Sequence, residues 1–161
     1  MTLDYTGKVV IVTGAGGGLG RCHALEFARR GAKVIVNDLG GSVDGSGGSS
    51  EAADKVVEEI KAAGGEAMSN GSSVTDDAGV ANMVSQTMDA YGRIDVLVNN
   101  AGVLRDKSFA KMEIADFDFV VDVHLFGTMK PTKAVWPIMK EQGYGRILVT
   151  SSSSGLYGNF G

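Results

Sequence analysis

Short apolar runs alternate with amphipathic stretches along this chain of 161 residues. Apolar runs of roughly four to eight residues are typical of strands that are buried on both faces. Apolar residues spaced three or four apart are typical of helices that bury one face. Five strands are predicted on this basis, at residues 8–13, 33–38, 66–69, 94–98 and 145–150.

Helical spacing fills the segments between the first strands. Residues 18–30 are predicted to form a helix that ends at Gly31, because glycine is favoured just after a helix. The apolar face of this helix consists of Ala24, Leu25, Phe27 and Ala28. Ser49 or Ser50 is placed to cap the second helix, since a serine hydroxyl can accept a bond from a free amide there.

Two further helical stretches follow. Thr75 or Asp76 is placed to cap the third helix. Residues 113–141 have a helical pattern that contains Pro131 and Pro137. Because proline lacks an amide hydrogen and clashes with the preceding turn, we expect a kink here or two separate helices.

The alternation of strands and helices predicts an α/β fold. Parallel strands joined by right-handed helical crossovers give a Rossmann-like, doubly wound sheet with helices on both faces. We expect residues 1–161 to form one domain, with a sheet that is cut short after its fifth strand.

Composition narrows the possible partners. The net charge is −4 and no block of like charge occurs, so neither a nucleic-acid surface nor a polybasic membrane patch is expected. Cys22 is the single cysteine, which excludes an internal disulfide and a cysteine-based zinc site, and no metal site is expected. The N-terminus has no apolar stretch of the length that a signal peptide needs, so the default location is the cytoplasm.

Glycine is concentrated in two segments, residues 14–20 and 40–48, of a chain that has 24 glycines. The first segment lies between a predicted strand and a predicted helix, which is the context of a phosphate-binding turn. Free amides and the positive end of the helix dipole favour a diphosphate at that point. The candidate binding residues of this turn are Gly14, Gly17, Gly18, Leu19 and Gly20. A surface loop without a ligand is the alternative.

Asp38 ends the second predicted strand, 24 residues after Gly14. A carboxylate at about this offset accepts hydrogen bonds from the adenosine ribose and repels a 2′-phosphate. Leu39 and Gly40 follow it, and neither could bind that phosphate as an arginine would. The pattern therefore favours NAD over NADP, and a solvated turn aspartate is the alternative.

Three motifs in order resemble the short-chain dehydrogenase/reductase family. They are Thr13-Gly14-x-x-x-Gly18-x-Gly20, then Asn99-Asn100-Ala101-Gly102, then Ser152 just after the fifth strand. The resemblance implies that hydride passes between NAD and a secondary alcohol or ketone, and that the protein assembles as a homodimer or homotetramer. By the same resemblance Ser152 holds the substrate oxygen, and the other expected cofactor contacts are Leu39, Ser73, Val74, Asn100, Ala101 and Gly102.

Four longer segments resemble one subgroup of that family. They are Asn37-Asp-Leu-Gly-Gly41, residues 99–109, Asp122-Val-His-Leu125 and residues 155–161. The subgroup is the (3R)-hydroxyacyl-CoA dehydrogenase domain of the peroxisomal multifunctional enzyme, together with its bacterial relatives. The resemblance implies a small-molecule substrate of the acyl-CoA type, a 3-hydroxyacyl-CoA, and a peroxisomal location if the source is a eukaryote.

The sequence departs from the family pattern in three places. None of the four tyrosines is followed four residues later by lysine, as the family's catalytic pair requires. His124 stands where the family often has asparagine, so it is a second catalytic candidate, with a packed core histidine as the alternative. Ser73 stands where many members have an acid. We expect the chain to be the first part of a longer enzyme, and the alternative is a non-catalytic NAD-binding or interaction module.

Overall fold

The computed structural model describes residues 3–47 and 51–159. Five strands form one parallel sheet in the order β3-β2-β1-β4-β5. Their bounds are β1 (Val9–Thr13), β2 (Lys33–Asn37), β3 (Glu66–Asn70), β4 (Val96–Asn99) and β5 (Arg146–Val149). The strand order reverses at β1, so the carboxyl ends of β1, β2 and β4 meet where such folds bind ligands. The predicted doubly wound α/β fold is confirmed.

Helices cover both faces of this sheet. Their bounds are α1 (Gly18–Arg29), α2 (Glu51–Ala62), α3 (Asp77–Tyr91), α4 (Ile114–Val121), α5 (Gly127–Glu141) and α6 (Ser154–Tyr157). Side chains alternate along each strand, so Val10 and Val12 lie in one core with α1 and α2, whereas Ile11 lies in the other with α3 and α5. Burial of both strand faces explains why the strands consist of nearly continuous apolar runs.

The N-cap of α3 is Asp76, one of the two residues predicted for it. Asp76 precedes the helix, and its Oδ2 accepts a hydrogen bond of 2.7 Å from the Gly79 amide. Gly92 ends the helix with φ of 68°, a left-handed conformation that glycine adopts without steric cost. The predicted capping residues of α2, Ser49 and Ser50, lie outside the described residues.

The long stretch before β5 does divide into two α-helices, but the predicted cause was wrong. Both prolines lie inside α5, which continues across them. The change comes earlier, at Asp122–Phe126, where the hydrogen bonding widens to a single π-helical segment between α4 and α5. Burial of Val135 and Met139 against the sheet stabilises α5 across its prolines, because tertiary packing outweighs local propensity.

Candidate functional site

The candidate site is a cleft of about 380 Å³ at the carboxyl edge of the sheet. All strands are parallel, so the loops after β1, β2, β3 and β4 meet at this edge. Ten of the predicted cofactor residues line the cleft: Gly14, Gly17, Gly18, Asp38, Leu39, Ser73, Val74, Asn100, Ala101 and Gly102. The structure therefore brings together residues that lie up to 88 positions apart in the sequence.

The glycine turn has the backbone shape that its sequence predicts. Gly14 and Gly18 have φ angles of 61° and 50°, in the left-handed region. A Cβ on Gly20 would collide with the Gly14 carbonyl oxygen and lie 2.5 Å from Nδ2 of Asn100. Gly17 precedes α1 without a side-chain cap, so the first amides of the helix are free to bind an anion.

The loops after β1 and β4 are joined by the side chains of Thr13 and Asn100. The Thr13 hydroxyl accepts hydrogen bonds of 3.0 and 3.1 Å from the amides of Asn100 and Ala101. In return, Nδ2 of Asn100 donates to the carbonyls of Thr13 and Gly14, at 3.1 and 3.0 Å. These bonds hold the glycine turn against the loop after β4. Sequence reasoning missed this role of Thr13, although its place before the turn was a usable signal.

Asp38 is held by the backbone of two loops. Its Oδ2 accepts a hydrogen bond of 2.7 Å from the Gly16 amide, and its Oδ1 accepts one of 2.7 Å from the Gly40 amide. Each carboxylate oxygen can accept more than one bond, so both keep capacity for a sugar hydroxyl. The carboxylate is therefore fixed beside the glycine turn and lines the same cleft.

The loop after β3 forms another wall of the cleft. Asn37 fixes it, since its Nδ2 donates to Oδ1 of Asn70 at 2.8 Å and to the Ser72 carbonyl at 2.9 Å. The Ser73 hydroxyl lies 2.9 Å from the Thr75 hydroxyl and accepts a bond from the Thr75 amide at 3.2 Å. The Ser73 hydroxyl thus stabilises the turn formed by residues 73–75, and Ser73 also lines the cleft.

Two predicted cofactor residues do not line the cleft. Gly20 is buried beneath the turn, where its missing side chain allows α1 to approach β1 and Asn100. Leu19 is 67% exposed on the first turn of α1. Gly20 therefore contributes to the packing of the turn. The side chain of Leu19 does not line the cleft, so only its backbone amide, at the start of α1, could contribute to the site.

The two candidate catalytic residues also lie outside this cleft. His124 belongs to the π-helical segment, and its Nε2 lies 2.9 Å from the Val103 carbonyl and 3.0 Å from the Val103 amide. A Cβ on Gly102 would lie 2.7 Å from the imidazole, so the ring rests against the end of the family motif. Ser152 is exposed after β5, and its hydroxyl accepts a bond of 3.2 Å from the Ser154 amide.

Sequence reasoning missed part of the lining altogether. Phe119 of α4, Val123 of the π-helical segment and the loop residues Ser42, Val43 and Gly45 all face the cleft. Phe119 and Val123 lie four residues apart, as on one face of a helix, but no spacing rule links them to the loop residues. That proximity depends on how the loop after β2 packs against α4.

Comparison with known proteins identifies the family. Residues 8–161 match the family described as short chain dehydrogenase. The chain belongs to the short-chain dehydrogenase family. The resemblance that the three sequence motifs indicated is therefore confirmed.

Relatives within this family include multifunctional enzymes. The chain is 59% identical to peroxisomal multifunctional enzyme A of Dictyostelium discoideum, over all of this chain and 36% of that protein. It is 58% identical to peroxisomal multifunctional enzyme type 2 of Mus musculus, over 99% of this chain and 21% of that protein. A short-chain type dehydrogenase/reductase of Mycobacterium tuberculosis is 50% identical, over 96% of this chain and 54% of that protein. The chain thus spans between a fifth and about half of these relatives.

Solved structures of short-chain dehydrogenases have the same fold. A short chain dehydrogenase from Mycobacterium avium superposes with a TM-score of 0.87 at 47% identity, and covers 99% of this chain and 57% of its own. A 7α-hydroxysteroid dehydrogenase, solved with NADH and 7-oxo glycochenodeoxycholic acid, gives a TM-score of 0.88 at 32% identity, with 98% and 58% covered.

Proposed function

We propose that this short-chain dehydrogenase uses NAD to interconvert a secondary alcohol and a ketone, with a (3R)-hydroxyacyl-CoA as the substrate. The observation that carries the proposal is the position of Asp38, whose carboxylate is fixed by the Gly16 and Gly40 amides beside the glycine turn. A fixed negative charge there favours ribose hydroxyls over a 2′-phosphate. The named relatives and the NADH-bound structure support the same assignment.

The residues present fit a dinucleotide. Free amides at the start of α1 and the left-handed glycines Gly14 and Gly18 suit a diphosphate, which needs close approach of the backbone. Asp38 would bind the adenosine ribose, and Ser73 and Val74 would contact the adenine. Bound NAD supplies the hydride acceptor for oxidation of the alcohol.

The chain's own residues would orient the substrate. Asn100, Ala101 and Gly102 would wall the nicotinamide side of the cleft, held in place by the Thr13 hydroxyl. Ser152 would donate a hydrogen bond to the substrate oxygen and stabilise negative charge that develops there. His124, fixed by Val103, would act on that side as a proton or water relay.

A non-catalytic NAD-binding or interaction module is the second candidate. It is favoured by the position of Ser152, which is exposed and lies outside the cleft. The two candidates differ in turnover. The full natural protein, given NAD and a (3R)-hydroxyacyl-CoA, should form NADH if it is the dehydrogenase, and should bind NAD without turnover if it is the module.

The choice of cofactor is tested at Asp38. In the full protein, Asp38→Asn should weaken NAD binding about 10- to 100-fold, since charge-assisted bonds of about 1.5–3 kcal/mol are lost. Binding of NADP should weaken less or improve, because the repelling charge is gone. Titration calorimetry with both dinucleotides gives the ratio of the two dissociation constants.

Asp38→Ala is the companion variant, since it also removes the acceptor for the Gly16 and Gly40 amides. It should lower the free energy of unfolding as well as NAD affinity. An unchanged ratio of NAD to NADP affinity in both variants would contradict the role proposed for this carboxylate.

Location and assembly stay predictions. Several of the similar proteins are named peroxisomal, which favours a peroxisome over the cytoplasm for a eukaryotic source. Within the described residues, no helix has the length and apolar character needed to cross a bilayer. Light scattering of the full protein during gel filtration would test the expected homodimer or homotetramer.

A further inference from the structure

We propose that residues 41–47, called the strap from here on, retain the adenosine half of the dinucleotide, and that Phe119 is the residue that positions the strap. The inference rests on the proposed NAD site. It adds a second structural element to that site, beyond the glycine turn and Asp38. Its basis is the set of contacts that seat the strap against α4 and against the loop after β4.

The strap lines the same cleft as Asp38 and the glycine turn. Gly41, Ser42, Val43 and Gly45 all face this space. The side chains of Leu39 and Val43 border the cleft and are 50% and 70% exposed. Exposed apolar side chains at a cleft lose contact with water when a ligand with flat, apolar faces binds there. Adenine has such faces, so this part of the cleft suits it.

The strap packs against α4 at Gly45. A Cβ on Gly45 would lie 2.6 and 2.7 Å from Cε1 and Cζ of Phe119, and 3.1 Å from Cγ1 of Val103. A side chain at position 45 would therefore force the strap or the phenyl ring to move. Added volume at this position should disturb the contact between them.

A backbone bond joins the strap to the loop that follows Gly102. The Leu104 amide donates to the Val43 carbonyl at 2.9 Å. Gly102 itself belongs to the Asn-Asn-Ala-Gly motif, so the strap connects the loop after β2 to the nicotinamide side of the proposed site. Displacement of the strap therefore requires that this bond and the contact with Phe119 break together.

Internal hydrogen bonds make the strap a compact unit. The Gly45 amide donates to the Ser42 carbonyl, and the Ser42 amide donates to the Ser46 carbonyl, both at 2.8 Å. The carboxylate of Asp44 accepts bonds from the Ser42 hydroxyl and from the amide and hydroxyl of Ser46. These bonds hold the pKa of Asp44 well below its ordinary value, with a smaller contribution from the charge of Arg105.

Arg105 also steadies the ring on which the strap rests. Its guanidinium lies 5.2 Å from the centre of the Phe119 ring, within the range of a cation–π contact. Its Nη1 lies 3.6 Å from Oδ1 of Asp116 on α4. Phe119 is thus held from its own helix and from the loop after β4, which suits a residue that positions the strap.

A pair of glycines gives a matched test. Gly45 and Gly47 have φ angles of 80° and 81°, so alanine meets nearly the same backbone strain at either position. The Cβ would strike Phe119 at position 45, whereas at position 47 none of the residues that the structure describes, apart from its chain neighbours, lies within 4 Å of it. A difference between Gly45→Ala and Gly47→Ala therefore reports the packing of position 45 against Phe119 and Val103.

The measurement is the release rate of NADH from the full protein by stopped-flow fluorescence, with steady-state kinetics beside it. Gly45→Ala should release NADH about fivefold faster or more than Gly47→Ala, since related complexes differ mainly in dissociation rate. The KM for NAD should rise, while kcat should not fall and the KM for the hydroxyacyl substrate should not change. A loss of general structure would instead change all three.

Phe119→Leu supplies a second variant if Gly45→Ala does not fold. It removes the ring without straining the strap, and it too should speed NADH release and raise the KM for NAD. Equal release rates in all variants of a protein that binds NAD would overturn the role of the strap and leave the proposed function standing. A wild-type protein that binds no dinucleotide would overturn both.

Discussion

Two glycines in the turn after β1, Gly17 and Gly20, have different surroundings in the structure. Gly17 is in extended conformation and lines the cleft, and a Cβ at this position would lie more than 4 Å from every residue that the structure describes other than its chain neighbours. Gly20 lies under the turn, where a side chain would meet the Gly14 carbonyl and the Asn100 amide group. Gly17 therefore faces the cleft, and Gly20 faces the protein.

Alanine at these two positions should separate binding from stability. Gly20→Ala should lower the free energy of unfolding by about 1–3 kcal/mol, the usual cost of added volume in a packed site. Gly17→Ala should leave that free energy nearly unchanged and weaken NAD binding, because its methyl group enters the cleft. Urea denaturation and calorimetric titration of both variants measure the two effects.

The reverse pattern, in which Gly17→Ala unfolds the protein and Gly20→Ala is neutral, would contradict this division. Gly18 is less suitable for the test, because its φ of 50° adds backbone strain to any effect on binding.

Helix ends are where sequence signals and structure agree most closely. Asp76 caps α3 as its sequence position predicts, and Gly92 ends the helix. These signals are local, since a cap needs only a side-chain oxygen near amides three residues away. The middle of the chain is different, because the division between α4 and α5 lies at Asp122–Phe126 and not at a proline.

The cap of α3 can be tested directly. Asp76→Ala should destabilise the protein by about 1 kcal/mol, since the Gly79 amide loses its acceptor. Asp89→Ala is the matched control, because it removes the same charge from the last turn of the same helix. It should be neutral or slightly stabilising, as an acid there opposes the helix dipole. Equal losses of thermal stability in the two variants would contradict the capping role.

The buried carboxylate of Asp95 joins the ends of β1 and β4 at the amino edge of the sheet. The side chain of Asp95 is fully buried just before β4. Its carboxylate accepts bonds from the Val9 amide at 3.0 Å, from the Arg93 guanidinium at 2.7 Å and from the Lys8 ammonium at 3.3 Å. Burial raises the pKa of this carboxyl, but these bonds outweigh it, so the pKa lies below its ordinary value.

Asp95 should therefore add stability that depends on pH. A lowered folded-state pKa means that the contribution is fully present above the unfolded value, about 4, and is lost as pH falls through the folded value. Asp95→Asn should lower the free energy of unfolding by about 3 kcal/mol at neutral pH, because a buried pair loses one partner. Its stability should also fall less steeply in acid. Urea denaturation at several pH values, from neutral to acid, measures the loss of stability and its pH dependence. If the stability of the variant fell as steeply in acid as that of the wild type, Asp95 would not be a cause of the acid destabilisation.

The elements of the fold could be predicted from the sequence more fully than the candidate catalytic site. The strands, α1 and the left-handed Gly14 could be predicted because burial pattern and backbone conformation leave marks in adjacent residues. The catalytic roles of His124 and Ser152 stay predictions, because motif position does not give the contacts of a side chain. In the structure His124 lies against Val103, and Ser152 is exposed after β5.

Local patterns in the sequence were enough to predict the alternation of strands and helices, the glycine turn and the acid at the end of β2, because each depends on neighbouring residues or on one backbone conformation. The bonds from Asn100 to Thr13 and Gly14, and the packing of Phe119 beneath Gly45, could be seen only in the folded molecule. Those contacts join residues more than 70 positions apart. They arise only when packing of the whole sheet brings the loops to one edge, and no local pattern in the chain encodes them.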